Sequence, residues 1–240
     1  MPDPIFAYPR LAAIYDAFDG GRDDLDAYAA IVEEFAARRI LDIGCGTGAF
    51  ACLLAERGFE VTGVDPAVAS LDVARTKPFA ERVTWIHGTA VDAPALDADL
   101  AVMTGNVAQV FLTDEDWLAT LRDAHRALRP GGPLVFEVRD PHQRAWEGWM
   151  PDATRQRRDV PGVGVVEGWT EVTEVALPLV SFRHTYRFES DAAVLTSDST
   201  LRFRDRPEIE SNLRTAGFTV REVRDAPDRP GLEFVFIAQR

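Results

Sequence analysis

The chain has 240 residues, 46% of them hydrophobic, a length that suits one α/β domain with a modest elaboration. Its formal net charge of −13 argues against a nucleic-acid partner, because phosphate binding depends on clustered lysine and arginine. Cys45 and Cys52 have neither metal-site spacing nor the number needed for a disulfide framework, so we expect no metal. Because a secretory signal and a run of about 18 apolar residues are both missing, we expect a cytoplasmic protein without membrane contact.

Strand and helix patterns alternate along the first 140 residues. Apolar residues recur with helical spacing over 25–36, which predicts an amphipathic helix. The predicted strands that follow are RILDIG (39–44), EVTGVD (60–65), RVTWIH (82–87), ADLAVMTG (98–105) and GPLVFEVRD (132–140). The predicted helices between them are 49–57, 69–75 and 113–128. Such alternation predicts a parallel sheet that is covered by helices on both faces.

The pattern changes after Pro141. Apolar residues alternate with polar ones from Val180 to Phe188, which indicates a strand with one solvated face. We interpret Val163 to Arg204 as an antiparallel insertion, followed by a helix and two closing strands, FTVREVR and EFVFIAQ. The predicted domains are an N-terminal helical segment (1–38), a main domain (39–140 and 205–240) and an inserted antiparallel lid (141–204).

The loop after the first predicted strand contains three glycines, Gly44, Gly46 and Gly48, with G-x-G-x-G spacing. A strand, a glycine loop and a helix together place backbone N–H groups beside a bound ligand. The dinucleotide-binding fingerprint is one residue longer, G-x-G-x-x-G, and no phosphate-binding P-loop sequence occurs. The loop therefore suits a nucleoside-bearing ligand that need not carry a phosphate.

Four motifs carry a family resemblance: LDIGCGTG after the first strand, VTGVDPA ending the second, HGTAVDAP after the third, and LRPGGPLVFE leading into the fifth. In this order and spacing they resemble the class I S-adenosylmethionine (SAM)-dependent methyltransferases. The resemblance implies a Rossmann-like α/β fold: a seven-stranded, mostly parallel sheet with helices on both faces and an antiparallel last strand. The small antiparallel β insertion is similar to that of small-molecule methyltransferases, including sugar N,N-dimethyltransferases, where it helps to cover the substrate.

The resemblance also implies SAM as the cofactor and S-adenosylhomocysteine as its product. Asp42 is expected near the amino-acid end of SAM, and Asp65, followed by Pro66, is expected to accept hydrogen bonds from both ribose hydroxyls. From the residues alone, Asp65 could instead be an ordinary turn acid at a strand end. The backbone of the glycine loop is expected to approach the methionine and ribose, through Gly44, Cys45, Gly46 and Gly48.

The remaining cofactor contacts are less regular. Thr89 stands where the family often has an acid facing the adenine amino group, so adenine recognition falls to Thr89 or to the backbone at Ala90 and Val91. Thr104 and Asn106 are expected beside the sulfonium, although Asn106 could equally be a turn residue next to a glycine. Tyr15 resembles the family's aromatic residues that close over the cofactor; packing against the sheet is the alternative.

Three residues are candidates for catalysis. His142 follows the fifth strand, and His184 lies on the apolar face of the inserted strand, so either could serve as a base. The alternatives are a solvated loop residue for His142 and a satisfied, partly buried one for His184. Arg139 could anchor a substrate carboxylate or phosphate, or it could pair with Asp140 or Glu137. Methyl transfer needs no dedicated base, so alignment without one is also expected.

These observations predict methyl transfer from SAM to a small-molecule acceptor, with nitrogen slightly preferred to oxygen because no convincing base appears. An NAD(P)-dependent oxidoreductase and a non-catalytic SAM-binding protein are the alternatives. DNA bases are disfavoured as acceptors because TGNV stands where an N-P-P-Y-like tetrapeptide would follow the fourth strand. We expect a monomer or homodimer whose partner is a small molecule, not nucleic acid or membrane.

Overall fold

A computed structural model describes residues 1–20, 24–93 and 96–240, so Pro94, the last residue of the HGTAVDAP motif, lies outside the described residues. The strands are β1 (Arg39–Ile43), β2 (Glu60–Asp65), β3 (Val83–His87), β4 (Leu100–Met103), β5 (Pro133–Arg139), β6 (Gln156–Val160), β7 (Gly164–Ala176), β8 (Leu179–Phe188), β9 (Val194–Arg202), β10 (Thr219–Asp225) and β11 (Glu233–Gln239). The α-helices are α1 (Pro4–Ala7), α2 (Pro9–Ala12), α3 (Tyr15–Phe18), α4 (Asp24–Glu34), α5 (Ala49–Glu56), α6 (Val68–Ala74), α7 (Asp114–Ala127), α8 (Pro151–Thr154) and α9 (Arg206–Thr215).

The main sheet has seven strands in the order β10-β11-β5-β4-β1-β2-β3. Strands β1 to β5 pair in parallel, whereas the last strand, β11, is antiparallel to both of its neighbours. This topology confirms the predicted fold class. Starting from β1, the chain first adds strands on one side and then returns to add β4 and β5 on the other. Open α/β sheets bind ligands at the carboxyl ends of the strands beside such a switch point.

Helices cover both faces of the main sheet, because successive side chains of each strand face opposite sides. On one face, Trp117 of α7 and Leu213 of α9 pack around Phe136 of β5. On the other face, Tyr28 of α4 and Phe50 of α5 lie in a second apolar cluster that contains Val135, the neighbour of Phe136. The central strands therefore have buried side chains on both sides, as their nearly continuous apolar sequences predict.

The second sheet is antiparallel, with the order β6-β7-β8-β9. Its first strand, β6, begins seven residues before the insertion strands predicted from the sequence, which started at Val163. The sequence QRRDV hides this strand because its Arg157 and Arg158 are exposed, so no apolar alternation marks it. The N-terminal helices pack against this sheet through Ile5, Leu11 and Ile14.

In residues 1–20, 24–93 and 96–240, no helix is long and apolar enough to cross a bilayer.

Candidate active site

The glycine loop follows β1 at the switch point of the main sheet. Gly44 and Gly46 have φ values of +73° and +53°, which L-residues with a Cβ rarely adopt. A Cβ at Gly44 would lie 2.7 Å from the Val107 side chain, whereas a Cβ at Gly46 would meet no atom within 4 Å. The loop is therefore packed against protein at Gly44 and open at Gly46.

The Asp65 carboxylate, at the end of β2, faces this loop and is only 8% exposed. Its Oδ2 accepts a hydrogen bond from the Gly46 N–H at 2.9 Å, and its Oδ1 accepts one from the Ala67 N–H at 2.8 Å. Burial raises the pKa of Asp65, and the two backbone N–H groups act in the opposite direction by stabilising the ionised form. Each carboxylate oxygen keeps a second lone pair, so Asp65 can still accept hydrogen bonds from a ligand.

The N-terminal segment is tied to the glycine loop through Asp16 of α3. Thr47 Oγ1 donates to Asp16 Oδ1 at 2.5 Å, and Lys77 Nζ donates to Asp16 Oδ2. The preceding residue, Tyr15, contacts Phe6, with 5.3 Å between the ring centroids. These contacts place α3 between the loop and the cavity described below.

Other predicted cofactor residues surround the loop at varying depth. Asp42 is buried in β1. Burial raises the pKa of the Cys45 thiol, so this cysteine is not an activated nucleophile. The Thr89 N–H donates to Asp92 Oδ2 at 2.8 Å, in a capping box that also engages the Thr89 hydroxyl. Val91 is an exposed apolar side chain in this turn. Of the remaining predicted cofactor-binding residues, Pro66 is exposed, Ala90 is buried and Thr104 is half-buried.

A cavity of about 690 Å³ lies between the N-terminal segment, the carboxyl ends of β4 and β5, and the second sheet. Four predicted site residues line it: Tyr15, Asn106, Arg139 and His184. Among the described residues, acids outnumber guanidinium groups in its wall by six to two. The acids are Asp3, Asp19, Asp24, Glu137, Asp228 and Glu233, and the guanidinium groups are Arg139 and Arg229.

Two of these acids, Glu137 and Glu233, form a buried cluster with Asn106. Glu137 Oε1 accepts the Asn106 N–H at 2.7 Å, and the Asn106 side-chain amide lies 3.3 Å from Glu233 Oε2. Arg229 donates to Glu233 Oε1 at 2.7 Å. Burial, reinforced by the negative charge of Glu233, raises the pKa of Glu137 to about 7. Asn106 itself has a φ of +60°, so it is both a turn residue and part of the cavity wall.

Arg139 lies at the edge of the same cluster. Its Nη1 donates to Gln109 Oε1 at 3.0 Å, and its Nε is 3.7 Å from Glu233 Oε1. Its guanidinium carbon is 5.6 Å from the centre of the Trp149 ring. The acid that pairs with Arg139 is thus Glu233, which comes from the end of the chain, and not a neighbour in β5.

The two histidine candidates have different surroundings. His184 lines the cavity, its Nδ1 is 2.8 Å from Thr170 Oγ1, and burial lowers its pKa to about 4, so the ring is neutral at pH 7. His142 does not line the cavity: its side chain is 81% exposed, and its Nδ1 is 2.9 Å from Asp140 Oδ1. The structure therefore brings His184, but not His142, to the cavity, and a catalytic role for either residue stays a prediction.

Residues 40–132 match a protein family described as a methyltransferase domain. Malonyl-[acyl-carrier protein] O-methyltransferase from Serratia marcescens is 26% identical over 214 residues, which cover 89% of this chain and 77% of that protein. Residues 40–132 of this chain therefore form a methyltransferase domain. Several further curated methyltransferases align over only about half of their own length.

Two solved structures share the fold of this methyltransferase. The CcbJ methyltransferase from Streptomyces caelestis has a TM-score of 0.76 at 21% identity, with 94% of this chain and 95% of that chain covered. CalS10 from Micromonospora echinaspora, an amino pentose methyltransferase solved with SAM bound, has a TM-score of 0.70 at 23% identity, with coverages of 95% and 96%. At these identities the structures establish the fold alone.

Sequence reasoning missed the acidic residues of the methyltransferase's cavity. The sequence indicates Glu137 only as a possible ion-pair partner of Arg139, and no sequence pattern points to Glu233. The available signal was a glutamate inside an otherwise apolar strand, as in LVFEV, because a charge is rarely buried without a partner or a function.

Proposed function

We propose that this methyltransferase uses SAM to methylate the nitrogen of a small amine. The observation that carries the proposal is the charge of the cavity, where six carboxyl side chains face two guanidinium groups. A primary amine is a cation at neutral pH, so this wall attracts it and disfavours an anionic acceptor. The amino pentose named as the acceptor of CalS10, a structure of the same fold, is consistent with this choice.

The residues around the glycine loop fit SAM. Open space at Gly46 lets a ligand approach the backbone, and Asp65 offers acceptor lone pairs beside it, which suits two adjacent ribose hydroxyls. When bound, SAM supplies a methyl group on a positively charged sulfur. In this proposal Asp42 lies near the amino-acid end, Thr104 and Asn106 lie near the sulfonium, and Tyr15 closes over the cofactor. Adenine binding falls to the turn at Thr89, whose hydroxyl is already engaged by Asp92.

The acid-rich wall favours a cationic amine over a neutral hydroxyl as the acceptor. Neither predicted histidine is suited to activate a hydroxyl, because burial lowers the pKa of His184 to about 4 and His142 does not line the cavity. An amine requires only the loss of its ammonium proton before its lone pair can react. The chain then has to hold the acceptor in line with the methyl group and to limit the access of water, and a cavity with walls from three parts of the chain is suited to both.

We further infer that residues 141–204 act as a lid over the main domain (39–140 and 205–240). The N-terminal segment 1–38 forms the remaining wall of the cavity between them. In support, Phe182, His184 and Tyr186 of β8 share the cavity wall with Tyr15 and Phe18 of α3. The Ile5 N–H also donates to Ser197 Oγ of β9 at 2.9 Å, which joins segment and lid directly. A monomer or homodimer is consistent with a site built from one chain.

The test is the transfer of radiolabelled methyl groups from SAM into pooled small metabolites and, separately, into protein and nucleic acid. Asp65→Ala serves as the blank, and Asp72→Ala, which changes an exposed acid on α6, is the matched control. We expect label in the small-molecule pool with the parent protein and with Asp72→Ala only. Label confined to macromolecules would contradict the proposal. Tight SAM binding without any transfer would favour a non-catalytic binding protein.

A further inference from the structure

Glu137 occupies an unusual place for a glutamate. It lies inside β5, is only 3% exposed and lines the cavity. Its Oε1 accepts the Asn106 N–H, but its Oε2 receives no hydrogen bond from any described residue. Leaving a buried carboxylate oxygen without a donor costs about 1–3 kcal/mol, so such a group calls for a ligand or a function.

The neighbouring charged groups donate no hydrogen bond to this oxygen among the described residues. Glu233, from β11, is already engaged by Arg229 and Asn106. Arg139 donates to Gln109 and has no hydrogen bond to Glu137 among the described residues.

Three further titratable groups from other parts of the chain line the cavity with Glu137. Tyr28 of α4 faces it with a pKa raised by burial and by the surrounding carboxylates, so the phenol stays protonated. Asp228 and Asp24 add negative charge at the same end of the cavity. Carboxyl groups thus outnumber the two guanidinium groups, Arg139 and Arg229, in the cavity that Glu137 lines, which favours an incoming cation.

We propose that Glu137 accepts the proton that the ammonium form of the acceptor must lose before methylation. This inference rests on the proposed function and deepens it. In the step, one N–H bond of the ammonium breaks and an O–H bond forms at Glu137 Oε2. The nitrogen keeps the electron pair, and the carboxylate becomes a neutral carboxylic acid. No oxidant, reductant or metal takes part, and the proton later leaves Glu137 for solvent.

The properties of Glu137 match this task. A proton acceptor works best when its pKa lies near the working pH, and the pKa of Glu137 is about 7. His184 is the other candidate base in the cavity wall. Its pKa of about 4 makes it a weaker proton acceptor than Glu137 by about three orders of magnitude. His184 also belongs to the lid, where Thr170 already contacts one of its ring nitrogens.

The first experiment needs no known acceptor. Protein labelled with 13C at the glutamate side-chain carboxyl carbons is titrated by NMR, with methylammonium chloride as the probe and sodium chloride as the ionic-strength control. We expect one glutamate resonance with a midpoint near pH 7 that is absent in Glu137→Gln. Methylammonium should lower this midpoint by roughly 1 pH unit, because a nearby cation stabilises the ionised carboxylate. A Glu137 resonance with an ordinary midpoint, or one insensitive to methylammonium, would overturn the inference.

The second experiment separates proton transfer from a structural role. Glu137→Gln keeps an oxygen that can accept the Asn106 N–H, and Glu174→Gln, an exposed position of β7, is the matched control. With a panel of benzylamine, putrescine and glucosamine, we expect kcat/KM of Glu137→Gln to fall roughly 100-fold and to lose the limb with a midpoint near pH 7. An unchanged pH limb in Glu137→Gln would show a merely structural role.

The two proposals fail differently. If the parent protein methylates an amine and Glu137→Gln does so with the same rate and pH profile, the role of Glu137 is overturned and the proposed function stands. If the parent methylates no amine nitrogen, the proposed function fails. In that case the carboxyl titration still shows whether a bound organic cation lies close enough to Glu137 to lower its midpoint.

Discussion

The two ends of the candidate site are built in different ways. At the cofactor end, the glycine loop and Asp65 lie within 30 residues of each other, and two backbone N–H groups hold the Asp65 carboxylate. At the acceptor end, side chains from segments as distant as Asp3 and Glu233 meet around one cavity. The first arrangement suits a ligand of constant shape, whereas the second can change its specificity through single substitutions. The predictions below test this division, beginning with the largest expected effect.

Asp65→Ala should abolish measurable SAM binding or weaken it at least about 100-fold. The change removes a charged acceptor for two ribose hydroxyls, each worth about 1.5–3 kcal/mol, as well as the partner of the Gly46 N–H. Isothermal titration with SAM measures the loss, and Asp72→Ala should bind like the parent. If Asp65→Ala retained parental affinity, Asp65 would be only a turn residue.

The acceptor end should show two opposing pH dependences of stability. The raised pKa of Glu137 means that the folded state binds more protons than the unfolded state, so its contribution is present below about pH 4.5 and lost as the pH rises through 7. The lowered pKa of His184 acts in reverse: its contribution is present above about pH 6.5 and lost as the pH falls through 4. Each contribution amounts to at most about 3.4 kcal/mol.

Between about pH 4.5 and 6.5 these two slopes should largely cancel in the parent protein. Relative to the parent, Glu137→Gln should therefore gain stability as the pH rises, and His184→Gln should lose it. Urea unfolding at a series of pH values gives the difference in unfolding free energy for each variant. Parallel curves for the parent and both variants would show that neither group is titrated as described.

Gly44→Ala and Gly46→Ala form a matched pair at the cofactor end. Both place a Cβ at positive φ, which costs roughly 1–2 kcal/mol, but only Gly44→Ala also meets Val107 at 2.7 Å. We expect Gly44→Ala to be the less stable variant and to be partly rescued by Val107→Ala. Gly46→Ala should be the more stable one, yet bind SAM more weakly because its methyl group enters the open side of the loop. Equal SAM affinity in Gly46→Ala and the parent would place the cofactor elsewhere.

Asp16→Ala should have the smallest effect. It releases α3 from Thr47 and Lys77, and a net loss of about 1 kcal/mol corresponds to roughly fivefold weaker SAM binding. Stopped-flow binding should show the change mainly as faster SAM release, because the segment lies over the loop. Asp19→Asn, in the same segment but facing the cavity, should leave SAM release unchanged. Faster release in both variants would indicate a general loosening of the segment.

The sequence predicted the fold well because the fold depends on local signals, whereas the cofactor contacts stay a prediction. Strand–helix alternation and the glycine spacing identify β1 to β5 without knowledge of tertiary contacts. The acceptor cavity has no such local signal: Glu233 reaches Asn106 only because β11 inserts beside β5. Strand β6 has no apolar alternation either, since Arg157 and Arg158 are exposed and Arg157 pairs with Glu189.

The most direct test of the account is the chemical position of the transferred methyl group. The protein is incubated with SAM carrying a 13C-labelled methyl group and an equimolar mixture of small primary amines and small alcohols, and the products are examined by 13C NMR. The account predicts resonances of N-methyl groups in the parent protein and none in Asp65→Ala. Resonances of O-methyl groups alone would contradict the assignment of the acid-rich cavity to an amine.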